Sequence, residues 1–218
     1  EAAATEALAA GVKLFVLITE GVPVHATMRL RALARAAGAR LLGPTTPGVI
    51  APGRTKLGIM PVNLFCRGPV GVVSRSGTLS YEVAGLLTAA GIGQSAVVGM
   101  GADPVVGTDL PELLELFAAD AETQAVVLIG EVGGSQEERA AARVAAGYPK
   151  PVVAFVAGLG APPGVRMGHA GAIVQGGFGT AREKLDSFAR AGVSTAASPA
   201  AIVPLVRAAL SRPGAGHD

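Results

Sequence analysis

Short apolar runs, each followed by a helical pattern, recur through most of this chain and constrain its fold more than any other feature. They lie near Val70–Ser74, Ser95–Gly99, Ala125–Ile129, Val152–Val156 and Val193–Thr195. A strand with one wet face alternates apolar with polar residues, whereas continuous Val/Ile/Leu runs suit strands covered on both faces. The helical patterns near Thr78–Ala90, Leu110–Ala119, Gln136–Ala146, Ala181–Ala191 and Ala200–Leu210 supply the cover. Two of them open with capping-box signatures, Ser135 with Glu138 and Thr180 with Glu183. Such alternation predicts an α/β fold with a doubly wound, open parallel sheet, whose ligands sit at the carboxyl ends of the strands.

The first part of the chain reads differently. An Ala-rich helix over Glu1–Ala10 runs into a strand over Lys13–Ile18. A loop over Thr19–Pro23 follows, then a helix with apolar positions Met28, Leu30, Leu33, Ala34 and Ala37, and a short strand at Arg40–Leu42. Two strands make a marginal sheet, so this half-unit needs further strands from residues outside these 218 or from another chain. Gly43–Gly68 is rich in Pro and Gly with little periodicity and reads as a structured linker. The expected division is a Rossmann-like remainder over 1–46, a linker over 47–68, and a flavodoxin-like domain over 69–218.

Composition excludes several function classes. Half the residues are hydrophobic, but Gly, Pro or a charge breaks every run before the eighteen or so residues a spanning helix needs, as Lys13 does in Val12–Thr19; the excess is core, not membrane. The 18 basic and 16 acidic residues are interspersed, aromatics make up 4% and Trp is absent, which argues against nucleic acid as a partner. The single Cys66 excludes an internal disulfide, has no His or Cys at metal-ligand spacing, and fits a reducing cytoplasm. No signal peptide is visible. No metal site is expected.

Three loops carry the candidate chemistry. In Gly168-His169-Ala170-Gly171-Ala172-Ile173 a histidine sits among residues with almost no side chain, leaving room for a bulky group to reach its ring. His25, at the start of a helix, and His217, in a Gly/Pro-rich tail, lack this setting. Glu131, at the end of an apolar strand and before Gly133-Gly134, can accept an imidazole N–H and fix the tautomer; the alternative is a solvated loop charge. Ser74-Arg75-Ser76-Gly77-Thr78 leads a strand into a helix whose free amides suit a phosphate, or Ser76 simply caps that helix. Asp103 and Asp109 bracket a further loop, with nothing to support a two-carboxylate or metal site. Lys13, Lys56, Lys150 and Lys184 fall in strand, linker and helices, so no lysine is expected near the three loops, and there is no P-loop to hold a triphosphate.

With these loops in this order, the chain resembles the alpha subunits of succinyl-CoA synthetase (succinate–CoA ligase) over residues 1 to about 210. The stretches that carry the resemblance include Ile18–Gly21, Gly43-Pro44, Lys56–Ile59, Val73–Glu82, Ile129–Glu131 with Gly133–Ser135, and Arg166–Ile173. The resemblance implies that His169 is phosphorylated and Glu131 contacts it, with Ser76, Gly77 and Thr78 holding phosphate. It further implies that Tyr81 lies near the acid substrate, a dicarboxylic acid, and that Ile18, Thr19 and Glu20 contact CoA. ATP or GTP with Mg2+ would bind mainly on a beta subunit of ATP-grasp type, in an αβ or α2β2 assembly, cytoplasmic or in the mitochondrial matrix, serving the tricarboxylic acid cycle. Malate–CoA ligase or another synthetase-like homologue, or a binding module for a CoA ester or partner without turnover, are the alternatives. The chain departs from the family pattern in lacking the first Rossmann strands with their Gly-rich loop, in Thr45 where Asn is usual, in Ala and Val within Gly101–Gly107, and in Phe178 where Lys is frequent.

Overall fold

A computed structural model of the protein describes residues 1–174 and 176–211; His217 lies outside the described residues. Its main body is a seven-stranded sheet in the order β4-β3-β6-β5-β7-β8-β9. The strands are β3 (Gly48–Ala51), β4 (Thr55–Gly58), β5 (Arg67–Ser74), β6 (Gln94–Gly99), β7 (Ala125–Glu131), β8 (Val152–Ala157) and β9 (Ser194–Thr195). From β6 to β9 all pairings are parallel. Counted from β5, these five strands run 2-1-3-4-5, the flavodoxin-like order, in which the crevice between the first and third strands is the expected ligand site.

Period-two alternation along the buried strands builds two cores. Val126 and Leu128 of β7 pack on one face with residues of α4 (Leu110–Ala119), α5 (Gln136–Ala145) and α6 (Ala181–Arg190). Val127 and Ile129 pack on the other with α3 (Gly77–Ala89) and α7 (Ile202–Leu210). All seven residues of β7 are buried, as the unbroken apolar run requires. A 3-10 turn at Pro199–Ala201, closed by the Ser198 side chain, precedes α7, where the sequence suggested one continuous helix from Ala200.

The expected linker is corrected. Residues within 47–68 form the β3–β4 hairpin, and β3 pairs antiparallel with β6 through Val49↔Val98 and Ile50↔Val97, so the sheet is mixed rather than wholly parallel. Thr46 ties this segment down: its hydroxyl donates to Gly99 O and accepts from Gly48 N at 2.9 Å. The Pro/Gly content disguised the hairpin because β4 is an edge strand with mostly exposed side chains, which leaves no apolar alternation to read.

The first unit is a two-stranded parallel sheet of β1 (Leu14–Val16) and β2 (Arg40–Leu42) with α1 (Ala2–Ala9) and α2 (Val24–Ala36). Of the apolar positions of α2, Leu30 and Ala34 are buried, whereas Met28 and Leu33 are 52% and 46% exposed. The unit abuts the body where Thr108 Oγ1 donates to Leu41 O at 2.8 Å and Gly107 N to Gly43 O at 2.9 Å.

Two expectations about helix starts need revision. Ser135 precedes α5 without a side-chain cap bond, and Glu138, its expected reciprocal partner, accepts from Lys184 Nζ at 3.1 Å. Asp109, read only as a loop residue, forms a full capping box with Glu112 at the start of α4 and pairs with Arg139 at 2.8 Å. Thr180 and Glu183 cap α6 as their spacing predicts.

Candidate active site

β5, β7 and β8 are adjacent and parallel, with Ser74 opposite Ile129 and Glu131 opposite Ala157, so their carboxyl ends open on one edge. Glu131 is the last residue of β7 and is buried. Its Oε2 lies 2.8 Å from His169 Nδ1, which brings the two sequence-selected residues together across 38 positions of chain. The His169 side chain is 31% exposed, enough to leave the other face of the ring open.

Glycine makes this approach possible. Gly133 has φ +85, and a Cβ there would lie 2.1 Å from Gly171 O, so any side chain would drive the histidine loop away from β7. The loop is a tight turn: Met167 N donates to Ala172 O at 2.8 Å, Ala172 N donates to His169 O at 3.1 Å, and Arg166 bridges Ile173. Gly171 N donates to Ala102 O at 2.9 Å, which fastens the turn to the loop after β6. Hydrogen bonding to Glu131 holds the His169 imidazole above its ordinary pKa, against the pull of burial and of the Arg75 charge. With Nδ1–H given to the carboxylate, Nε2 is the nitrogen left with its lone pair.

Beneath the pair runs a buried chain of charges that sequence reading missed. Arg75, the first residue after β5, donates from Nη1 to Glu131 O at 3.1 Å, Gly133 O at 2.8 Å and Glu137 Oε1 at 3.0 Å, and its Nη2 is 3.4 Å from Glu131 Oε1. Glu137, fully buried in the first turn of α5, also accepts from Glu131 N at 3.1 Å and from Lys184. Lys184 Nζ further donates to Gly134 O at 2.9 Å. The expectation of no lysine near the three loops is therefore corrected: Lys184 sits under one of them, although its ammonium is spent on carboxylates. Burial works against the Glu137 charge, but Arg75 and Lys184 outweigh it and hold the carboxyl below its ordinary value. Burial likewise opposes the Arg75 charge, and Glu137 and Glu131 outweigh it in turn. Nothing in the local sequence signals this chain, because Glu137 is 62 residues from Arg75 and 47 from Lys184.

The other sequence-selected residues lie around this pair. Ser76 caps α3, its Oγ accepting from Leu79 N at 3.3 Å, while the amides of Gly77 and Thr78 find no partner among the described residues. Capping and anion binding are thus compatible here, since they use different amides. Tyr81, one turn further along α3, packs edge-on against Phe65 at 6.4 Å between centroids, and burial pushes its phenol pKa up. Ile18, Thr19 and Glu20 are exposed in the loop just past the end of β1, where Thr19 O accepts from Thr45 N at 3.2 Å. Glu20 lies close enough to His169 to favour its protonated form. Asp103 accepts from Thr45 Oγ1 at 3.1 Å. Among the described residues no group of three or more His, Cys, Asp or Glu side chains is placed to hold a metal ion, and no helix is long and apolar enough to cross a membrane. His25 is exposed on α2, away from these loops.

A family model described as CoA-ligase matches residues 73–194, more than half of the chain and the whole span from Ser74 to His169. The succinate–CoA ligase [ADP-forming] subunit alpha 2 of Archaeoglobus fulgidus is 53% identical over 204 residues, covering 94% of this chain and 71% of that one. The chain belongs to the CoA-ligase family.

Within that family, the succinate–CoA ligase [ADP-forming] subunit alpha of Methanothermobacter thermautotrophicus is 53% identical over 197 residues, 90% of this chain and 67% of the relative. The chain thus spans about two thirds to seven tenths of these CoA-ligase subunits. Among solved structures, the ATP citrate lyase of Methanosaeta concilii in complex with (3S)-citryl-CoA superposes with a TM-score of 0.87 at 26% identity, over 95% of this chain and 36% of that one. The relatives are acid–thiol ligase subunits, and the α/β fold with its mostly parallel sheet is the CoA-ligase fold.

Proposed function

We propose that this chain acts as the alpha-type subunit of a nucleotide-dependent succinate–CoA ligase, with His169 as the phosphoryl carrier. The observation that carries the proposal is the 2.8 Å contact between His169 Nδ1 and Glu131, which fixes the tautomer and leaves the Nε2 lone pair as the nucleophile. Nε2 attacks the terminal phosphorus of the nucleotide; an N–P bond forms as the P–O bond to the departing nucleoside diphosphate breaks. Glu131 stabilises the positive charge that develops on the ring. A succinate carboxylate oxygen then attacks the same phosphorus, the N–P bond breaks, and the acyl phosphate forms. CoA thiolate adds to its carbonyl and expels inorganic phosphate, giving the thioester.

The remaining roles follow from placement. The unpartnered amides of Gly77 and Thr78 at the start of α3, with Ser76 before them, receive the phosphoryl oxygens; a helix start contributes on the order of 1 kcal/mol to such an anion. Tyr81 borders the acid, and Ile18–Glu20, exposed at the strand end of the first unit, face CoA. In this reading residues 1–46 belong to the CoA-binding unit and 69–218 to the ligase unit, with the hairpin between them joined to the second sheet. The nucleotide and its Mg2+ belong to an ATP-grasp beta subunit, in αβ or α2β2 form, in the cytoplasm.

Calorimetric titration of the isolated chain with magnesium ATP or GTP tests the division of labour. No measurable binding is expected, and phosphorylation of the chain is expected only with a beta subunit present. Micromolar binding by the chain alone contradicts the two-subunit reading.

A further inference from the structure

We infer that Arg75 is a positioning residue for the His169–Glu131 pair: it pins the backbone that follows the Glu131 side chain and turns that carboxylate so that Oε2 meets the imidazole. Four observations carry the inference. Arg75 is 4% exposed and Glu131 5%, so neither is positioned by solvent. The single nitrogen Nη1 ties together Glu131 O, Gly133 O and Glu137, locking the turn from which the glutamate side chain projects. The cation is anchored from behind by Glu137, itself fully buried and shared with Lys184, so the fork has no freedom to follow the carboxylate. Finally, Glu131 Oε1 is buried without a hydrogen-bond partner, and the nearest cationic nitrogen, Arg75 Nη2, is 3.4 Å away.

That last distance identifies what Arg75 does. A bidentate guanidinium–carboxylate fork would satisfy Oε1 and Oε2 together and compete with the imidazole for Oε2. Here the Arg75 hydrogen bonds go to carbonyls and to Glu137, and the guanidinium's approach to the Glu131 carboxylate, 3.4 Å from Nη2 to Oε1, lacks hydrogen-bond geometry. Oε2 is left to His169. A buried carboxylate oxygen without a partner is costly, and the nearby positive charge offsets that cost without taking the second oxygen.

The charge also acts on the ring. Glu131 at the end of β7, Glu20 in the loop after β1 and Asp103 in the loop after β6 face His169 with negative charge, and Arg75 faces it with positive charge. Arg75 therefore opposes the protonation of Nε2 that the three carboxylates favour. Removing it raises the pH at which the imidazole loses its proton and shrinks the range in which Nε2 can act as a nucleophile.

The inference rests on the phosphoryl-carrier reading for its purpose, but its test does not. Ring 15N resonances of His169 in the intact chain report both the titration midpoint and the tautomer, with no need for nucleotide or partner. Arg75→Met is expected to replace the single Nδ1–H tautomer by a mixture and to displace the midpoint from its wild-type value. A folded Arg75→Met chain with the wild-type midpoint and tautomer overturns the inference. Should Arg75→Met fail to fold, Arg75→Lys decides. A point cation restores charge but cannot hold two carbonyls and Glu137 at once, so a midpoint near wild type with a mixed tautomer is expected. An Nδ1–H tautomer as pure as that of wild type overturns the positioning role. If wild-type protein forms no phosphohistidine while these shifts occur, the phosphoryl-carrier reading fails and the role of Arg75 stands.

Discussion

The first unit and the seven-stranded body are built from the same kinds of element, yet they close their cores to different degrees. In the body every residue of β7 is buried and helices cover both faces of the sheet. In the first unit β1 pairs only with β2 among the described residues, and Val12, Leu14, Ile18, Val24, Met28 and Leu33 are each 40% exposed or more. The difference shows where a charged site can be fixed in place. Arg75, Glu131, Glu137 and Lys184 hold their geometry because the packed body surrounds them, and opposing charges at close range keep Arg75 and Glu137 ionised against the cost of burial. The exposed Ile18–Glu20 loop meets the 43–46 segment through Thr45 N and Thr19 O at 3.2 Å.

If that contrast is right, breaking the buried chain of charges should have the largest effect. Lys184→Met leaves Glu137 with one cation instead of two in a fully buried position, and removing one partner of a buried pair typically costs about 3–5 kcal/mol. Chemical denaturation should show a loss of that size, and a loss below about 1 kcal/mol would mean that Arg75 alone neutralises Glu137. Next in size is the link from the buried chain to the ring. Glu131→Gln keeps the shape but loses the charged acceptor, and we expect a fall of about 10²-fold or more in the rate of His169 phosphorylation. A wild-type rate in this variant would return Glu131 to the role of a structural loop charge.

Two smaller effects probe the junction between the units. Thr45 has φ 55, a left-handed conformation that a β-branched residue adopts at a cost of order 1–2 kcal/mol and that Asn tolerates. Thr45→Asn should therefore stabilise the protein by about 1 kcal/mol, read as a raised unfolding midpoint; destabilisation would show that the Thr45–Asp103 hydrogen bond outweighs the strain. Arg35 of α2 reaches Glu112 of α4 across the same junction, with both side chains more than a third exposed. Arg35→Ala should cost at most about 1 kcal/mol, and the loss should shrink further in high salt.

The parts of this molecule that were legible in the sequence are those set by local pattern. The apolar runs at 125–129 and 152–156 identified the central strands because both faces are covered, and the Thr180–Glu183 spacing predicted a cap that forms. The β3–β4 hairpin was hidden because its stability comes from pairing with β6 and from Thr46, neither of which leaves a periodic trace. The capping box at Ser135 does not form, and Glu138 instead meets Lys184 from α6, a partner that local spacing does not show. The pairing of His169 with Glu131 was read from glycine context and from family resemblance. The Arg75–Glu137–Lys184 chain beneath it was not, since its members come from three separate elements and none departs from an ordinary surface residue in local sequence.

The central claim is that His169, set by Glu131, carries the phosphoryl group. It is tested most directly by incubating the chain with a beta subunit and nucleotide labelled at the terminal phosphate, alongside His169→Asn. The wild-type chain should acquire an acid-labile, base-stable label, and His169→Asn should acquire none. Label of the same stability persisting on His169→Asn would contradict the account.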